Sequence, residues 1–324
     1  LTRYILNRLL HLIPVLLAVS FISMFIIDLA PGDYLSALRA DPQISQTAVE
    51  RMRVEFALDK PWYVQYAHWL KNVITKFDFG RSFSYKAPVS GLVIERLGNT
   101  LLLTATAYAM AWLVAVPLGA LAAAKRNSWI DRAGSLIAVL GLSVPQVLLV
   151  LVALYFCVVS GVLPAGGMKS AATYDLMGPW GKAADVLRHL VAPAAVLSVV
   201  ALAGITRQMR SNTLEFLDAD FVRTARAKGL GEWRIVFKHV VRNALNPLIT
   251  MFGFTIGGLL GGSLIVEYVM GWPGLGALTL EAVRRQDLYV VLAGLVMSSA
   301  MLVFGNLLAD IMLKINDPRI SYER

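Results

Sequence analysis

One cysteine and four histidines are all this chain holds of the residues that most often bind transition metals. With Cys157 alone, no intrachain disulfide can form, and its place in an apolar run reads as a small packed hydrophobe. His11, His68, His189 and His239 fall in separate segments without ligand spacing, so a metal site built by this chain is not expected. Charge is scarce as well. Only 16% of residues are Asp, Glu, Lys or Arg against 57% hydrophobic, too apolar for an ordinary soluble domain. A Gly-x-x-x-x-Gly-Lys-Ser/Thr phosphate loop is missing: at Gly181-Lys182, Ala183 follows and Leu176 stands where the first glycine belongs. No nucleophile, base and oxyanion set is evident. These absences predict a non-enzyme that neither hydrolyses ATP itself nor carries a cofactor. Asp28, Glu267 and Asp310 are placed near the ends of apolar runs, as interfacial residues, so no relay of acids for protons is expected.

What the chain does have is apolar length. Crossing a bilayer takes about 20 residues, and six runs meet or approach that: Leu9–Ile27, Thr100–Ala124, Ala133–Leu163, Leu190–Thr206, Ala244–Val266 and Leu288–Ala309. The third is long enough to tilt or to break near Pro145; the fourth is short. Arg3 and Arg8 precede the first run, which is longer than a signal core and lacks a small-x-small cleavage site, so it reads as a retained helix. With the start placed inside, the inner segments hold 16 Lys and Arg against 7 acids, and the longer outer ones 14 against 13. That is the positive-inside pattern. The net charge of +9 is therefore a topology signal, with no need of nucleic acid.

The expected fold is an all-α integral membrane protein with six transmembrane helices and both termini in the cytoplasm. Residues 1–29 form the first helix and 30–99 an extracytoplasmic segment; 100–313 make a five-helix core, and 314–324 a cytoplasmic tail. In the outer segment, Thr47 to Leu58 has helical character, and Trp62, Tyr63, Tyr66 and Trp69 are dense enough to suit a membrane interface. The outer loop Pro164–His189 is rich in Gly, Ala and Ser, which predicts mobility. Gly253, Gly257 and Gly261 recur every four residues on the fifth run, a face for close helix packing or for a pathway.

The one long polar stretch among these helices is 212–247. It reads as two short amphipathic helices joined at Gly229-Leu230-Gly231. Leu214, Leu217, Phe221 and Ala225 mark one face; Trp233, Val236, Val240 and Ala244 mark the other. Asn212 with Glu215 three residues on predicts a capping box, and Leu230 is expected as an exposed apolar tip. Such a hairpin suits docking to another protein.

Further tetrapeptide-scale features recur in order: Arg3-Tyr4, Ile13-Pro14-Val15-Leu16, Ala30-Pro31-Gly32-Asp33, Phe79-Gly80-Arg81-Ser82, Gly141-Leu142-Ser143-Val144-Pro145, Arg223–Leu230, Arg242-Asn243-Ala244-Leu245, Trp272-Pro273-Gly274-Leu275-Gly276 and Asp317-Pro318-Arg319. In these the chain resembles, over almost its whole length, the first-type permease subunits of bacterial ATP-binding-cassette importers for dipeptides, oligopeptides and, in some members, nickel or glutathione. The resemblance implies a type I importer permease in the cytoplasmic (inner) membrane. Its implied partners are a second homologous permease, two ATPase subunits that carry ATP and magnesium, an extracytoplasmic binding protein, and membrane lipid. It also implies that 212–247 is the coupling loop, whose contact would fall on Arg223, Thr224, Ala225, Arg226, Ala227, Lys228, Gly229, Leu230 and Gly231. The family pattern there is Glu-Ala-Ala, three residues, then Gly. Arg223-Thr224-Ala225 departs from it, as is usual in the peptide branch, which puts the Glu contact in doubt but not the docking. The substrate expected is a di- or oligopeptide, with nickel or another small solute the alternative. An ion-gradient transporter is the rival from another class, disfavoured by the hairpin and the missing relay of charge.

Overall fold

Proline and glycine punctuate a chain whose described residues are mostly helix. The computed structural model describes residues 2–29, 35, 45–55 and 59–316, with the helix backbone alone at 2–9, 11, 48, 51, 52, 54, 55 and 253–262. The helices are α1 (Thr2–Leu29), α2 (Gln46–Glu55), α3 (Trp62–Lys76), α4 (Val89–Ala124), α5 (Trp129–Ser143), α6 (Gln146–Ser160), α7 (Pro179–Leu217), α8 (Asp220–Ala227), α9 (Val241–Val269), α10 (Leu275–Arg284) and α11 (Leu288–Asn316). Among the described residues the only strand-like feature is a single antiparallel bridge, Arg81 to Pro88. The expected stop at Ala30–Asp33 and the ending Asp317–Arg319 lie outside the described residues.

Among the described residues, four helices are long and apolar enough to cross a membrane: α1 over Leu12–Leu29, α4, α7 and α11. The expected third run is split. Its two halves, α5 and α6, meet at 100°. Val144 takes extended backbone at φ −82°, ψ 124°, the conformation a following proline imposes on its neighbour, and Pro145 starts the second half. The fourth run is not short but part of the 39-residue α7. The fifth lies on α9, and Gly253, Gly257 and Gly261 fall where side-chain surroundings are outside the described residues.

The chain forms two compact units. The first contains the described parts of Thr2–Thr100 with Pro273–Met301. Its core joins Trp69, Phe79, Phe83, Val89 and Val93 to Leu275, Leu278 and Val290. The aromatics of α3 serve this unit and not only a membrane surface. Trp62 and Tyr66 meet Phe21 edge to face at 5.3 and 5.5 Å, and buried Trp69 donates from Nε1 to the Phe79 carbonyl at 3.1 Å. Gly80, at φ +96°, lets the backbone approach the Tyr289 ring, which a Cβ would meet at 3.0 Å. The next residues are anchored by fully buried Asp287, whose Oδ2 accepts from Ser82 Oγ at 2.6 Å and Ser84 N–H at 2.9 Å. Tyr85 donates to Glu281 at 2.7 Å; burial, then that carboxylate, raises its phenol above the ordinary value.

The second unit contains Leu101–Trp272 and the described part of Leu302–Arg324. Ala107, Ala111 and Ala115, spaced by four on α4, are fully buried in its core with Leu190, Leu197, Met209 and Cys157. Small residues let helices close together where lipid supplies no hydrophobic drive between them. Glu267, expected at an interface, is instead fully buried. The loop before α7 is pinned rather than loose. Gly167 N–H donates to the Met270 carbonyl at 2.8 Å, and Asp185 accepts from Ser170 N–H and Oγ at 2.8 and 2.6 Å.

Candidate coupling hairpin

The polar stretch folds into a hairpin with a core of its own. Asp220 opens α8 and Arg226 closes it, the charge order a helix dipole favours. After α8 the chain turns at Lys228-Gly229-Leu230, runs through one turn at Glu232–Arg234, and enters a π-helical turn, Ile235–Val240, that leads directly into α9. Val222, Ala225, Ile235 and Val240 are buried against one another, with Leu217 and Leu230 packed on them.

The turn is a Schellman motif. Gly229 N–H donates to the Arg226 carbonyl at 2.9 Å and Leu230 N–H to the Ala225 carbonyl at 3.2 Å, with Gly229 at φ +75°. Arg226 then clasps Glu232 with two bonds, Nε to Oε1 at 2.7 Å and Nη2 to Oε2 at 3.2 Å. This hydrogen bonding holds the Glu232 carboxyl below its usual range and the Arg226 guanidinium above its own. The backbone N–H of Leu230 caps α8 while its side chain covers the small core.

Several expected positions therefore move. Leu230 is not an apolar tip but a half-buried part of the hairpin core. Phe221 and Trp233, assigned to the inner faces, are exposed, and Val222 and Ile235 take their places. Trp233 stacks on exposed Phe237 at 5.1 Å. Asn212 caps nothing: it lies inside α7, accepts from Gln208 Nε2 at 2.8 Å, and donates through Nδ2 to the Ala244 carbonyl on α9 at 2.9 Å. Arg223, Thr224, Arg226, Ala227, Lys228, Gly229 and Gly231 form the exposed rim, while Ala225 is buried.

The base of the hairpin is tied down at three more points. Asn243 Nδ2 donates to the His239 carbonyl at 2.8 Å, across the π turn. Arg242 Nη2 donates to the Asn316 carbonyl at 3.2 Å, and Asn316 Nδ2 returns a bond to the Arg242 carbonyl at 3.0 Å. The hairpin is thus bonded to α7, α9 and the end of α11 together.

Residues 115–322 match the family described as binding-protein-dependent transport system inner membrane component, and residues 1–104 match its N-terminal component. The chain belongs to this family. It is a multi-pass membrane permease. Over 322 residues, 98% of this chain and 99% of the relative, it is 41% identical to the oligopeptide transport system permease protein AppB of Bacillus subtilis. A putative peptide permease protein of Brucella suis is 40% identical over the same shares. The glutathione transport system permease protein GsiC of Salmonella choleraesuis is 36% identical over 99% of both chains. Among solved structures, an inward-facing form of the MetNI methionine ABC transporter matches 70% of this chain and 96% of that one at TM-score 0.53 and 21% identity, a likeness of fold.

Proposed function

We propose that the chain is the permease subunit of an ATP-driven importer for di- or oligopeptides in the bacterial inner membrane. It would span the bilayer six times with both ends in the cytoplasm, pair with a homologous permease, and rest on two ATPases that hold the ATP and magnesium. A substrate-binding protein would deliver peptide from outside. The observation that carries the reading is agreement with peptide permeases over nearly the whole chain, 41% identity over 322 residues.

The hairpin supports the mechanical half of the proposal. Its small core, Schellman turn and Arg226–Glu232 clasp make it one stiff body, and Asn212 links both helices that carry it. Closure of the ATPases would move the hairpin, and the hairpin would move α7 and α9 as levers. An alternating opening of the path follows from that coupling without any chemistry in this chain.

The test is reconstitution of the permease with its ATPases and binding protein in liposomes. Uptake of a labelled peptide is expected to require ATP and to persist with a proton uncoupler. Uptake that survives ATP depletion but stops with the uncoupler would transfer the chain to the ion-gradient class. Thermal stabilisation of the binding protein by peptides, set against glutathione and a nickel chelate, reads the substrate separately.

A further inference from the structure

We propose that a groove at the start of α5 binds the headgroup of an anionic phospholipid from the inner leaflet. This rests on the orientation proposed above, which puts residues 125–132 on the cytoplasmic side. The groove is shallow, about 380 Å³, and is lined by Asn127, Asp131, Arg132, Ser135, Leu136 and Val139. Ser135 and Leu136 follow Arg132 by three and four residues, and Val139 follows them by four and three, on one helix face. Polarity is graded along that face. A guanidinium stands at the cytoplasmic end, a hydroxyl one turn in, and alkyl groups beside it and one turn further, with Leu136 and Val139 each 59% exposed. Phosphate, glycerol ester and acyl chain occur in the same order in a phospholipid.

Charge selects the headgroup. Asp131 is the one acid among the lining residues, and its carboxylate is already engaged. It accepts from Arg210 Nε and, at 2.9 Å each, from Arg210 Nη2 and the Asn127 N–H. Arg132 therefore sets the sign of the groove, with exposed Lys125 and Arg126 in the preceding loop adding to it. Depth agrees: Trp129, three residues before Arg132, is 77% exposed, and exposed tryptophans favour the headgroup layer. Basic pockets at the cytoplasmic ends of membrane helices attract anionic headgroups. A free phosphate would satisfy the polar end but give Leu136 and Val139 no partner.

Native mass spectrometry of the delipidated, assembled transporter tests this with phosphatidylglycerol and phosphatidylcholine. Wild type is expected to retain phosphatidylglycerol at least tenfold better; Arg132→Gln should remove most of that preference, and Val139→Trp should weaken both lipids. Millimolar inorganic phosphate should not compete. Equal retention of the two lipids, an unchanged preference in Arg132→Gln, or displacement by phosphate would each overturn the site. So would a disulfide or cross-link from Ser135→Cys to the second permease, since the groove would then hold protein. ATPase copurification, followed on the same samples, reports on the permease assignment independently of lipid retention.

Discussion

Gly229 and Gly231 flank Leu230 alike in the sequence, but their backbones differ. Gly229 is left-handed at φ +75°, and a Cβ there would meet nothing within 4 Å, so the whole cost of a side chain is conformational. Gly229→Ala should therefore loosen the turn by about 1–2 kcal/mol. Faster hydrogen exchange at the Leu230 amide is the readout. Gly231, at φ −66°, ψ 144°, is an N-cap without a side-chain acceptor, so Gly231→Ser should leave the turn as stable or slightly more so. Equal exchange in the two variants would remove the Schellman motif from the account. The Arg226–Glu232 clasp adds a pH statement. Glu232 has a lowered pKa, so its contribution is complete above the ordinary glutamate value, about 4.3, and is lost only as pH falls through the lowered one. Arg226, raised, releases its proton only above the range in which ATPase activity is assayed. From pH 5 to 9, coupling should thus show no titration from this pair, and Glu232→Gln should cost no more than about 1 kcal/mol because both side chains are largely exposed. The glycine turn and the apolar character of both hairpin arms were legible in the sequence. The direction of Leu230 was not, because a residue that is polar-flanked at a loop tip looks exposed until the cap hydrogen bonds fold it back.

Ile235–Val240 accounts for the one position of the second arm that departs from its expected face, Trp233. A π turn winds more residues per turn than the 3.6 assumed by helical spacing, so Trp233 leaves the buried stripe that Val236, Val240 and Ala244 keep. It also fixes the rotation of the hairpin on α9. Inserting one alanine after Val241, where the helix is regular, should keep the turn and rotate the hairpin on α9 by about 100°. Helix content by circular dichroism should hold while ATPase copurification falls. Retained copurification with full transport would show that the rotation is immaterial. Asn212 gives a milder test at the same joint: Asn212→Leu removes the bond to the Ala244 carbonyl, so ATP hydrolysis per peptide imported should rise with assembly intact. Apolar length marked the runs on α1, α4, α7 and α11, and the α5–α6 break was foreshadowed by Pro145. The overrun of α7 was hidden because residues 179–189 and 207–217 are polar enough to resemble loops while keeping helical backbone.

That overrun bears on where the outer partner of the proposed assembly would dock. At 1.5 Å per residue, the ten residues from Trp180 to Leu190 raise Trp180 about 15 Å above the apolar run, whereas a headgroup layer is only about 5–8 Å deep. Trp180 is 89% exposed and nearby Leu176 is 87% exposed, so in the proposed orientation two large apolar side chains stand clear of lipid on the outer side. Single exposed apolar residues need no explanation, but this pair sits on a stiff, pinned platform. Asp185 holds Ser170 at 2.6 Å, and the Lys169 and Lys182 ammonium groups lie 4.8 and 5.3 Å from the Tyr174 ring centroid. An apolar pair on such a platform fits a protein surface with an apolar centre, which the substrate-binding protein of the proposed assembly would have to present. Trp180→Ser with Leu176→Ser should leave basal ATPase activity and assembly unchanged, since neither side chain is in the core. Stimulation by the liganded binding protein should fall at least tenfold. Trp180→Phe, keeping an apolar ring, should retain most of it. If the double variant is stimulated as fully as wild type, the binding protein docks elsewhere on the outer surface and the platform has only a structural role.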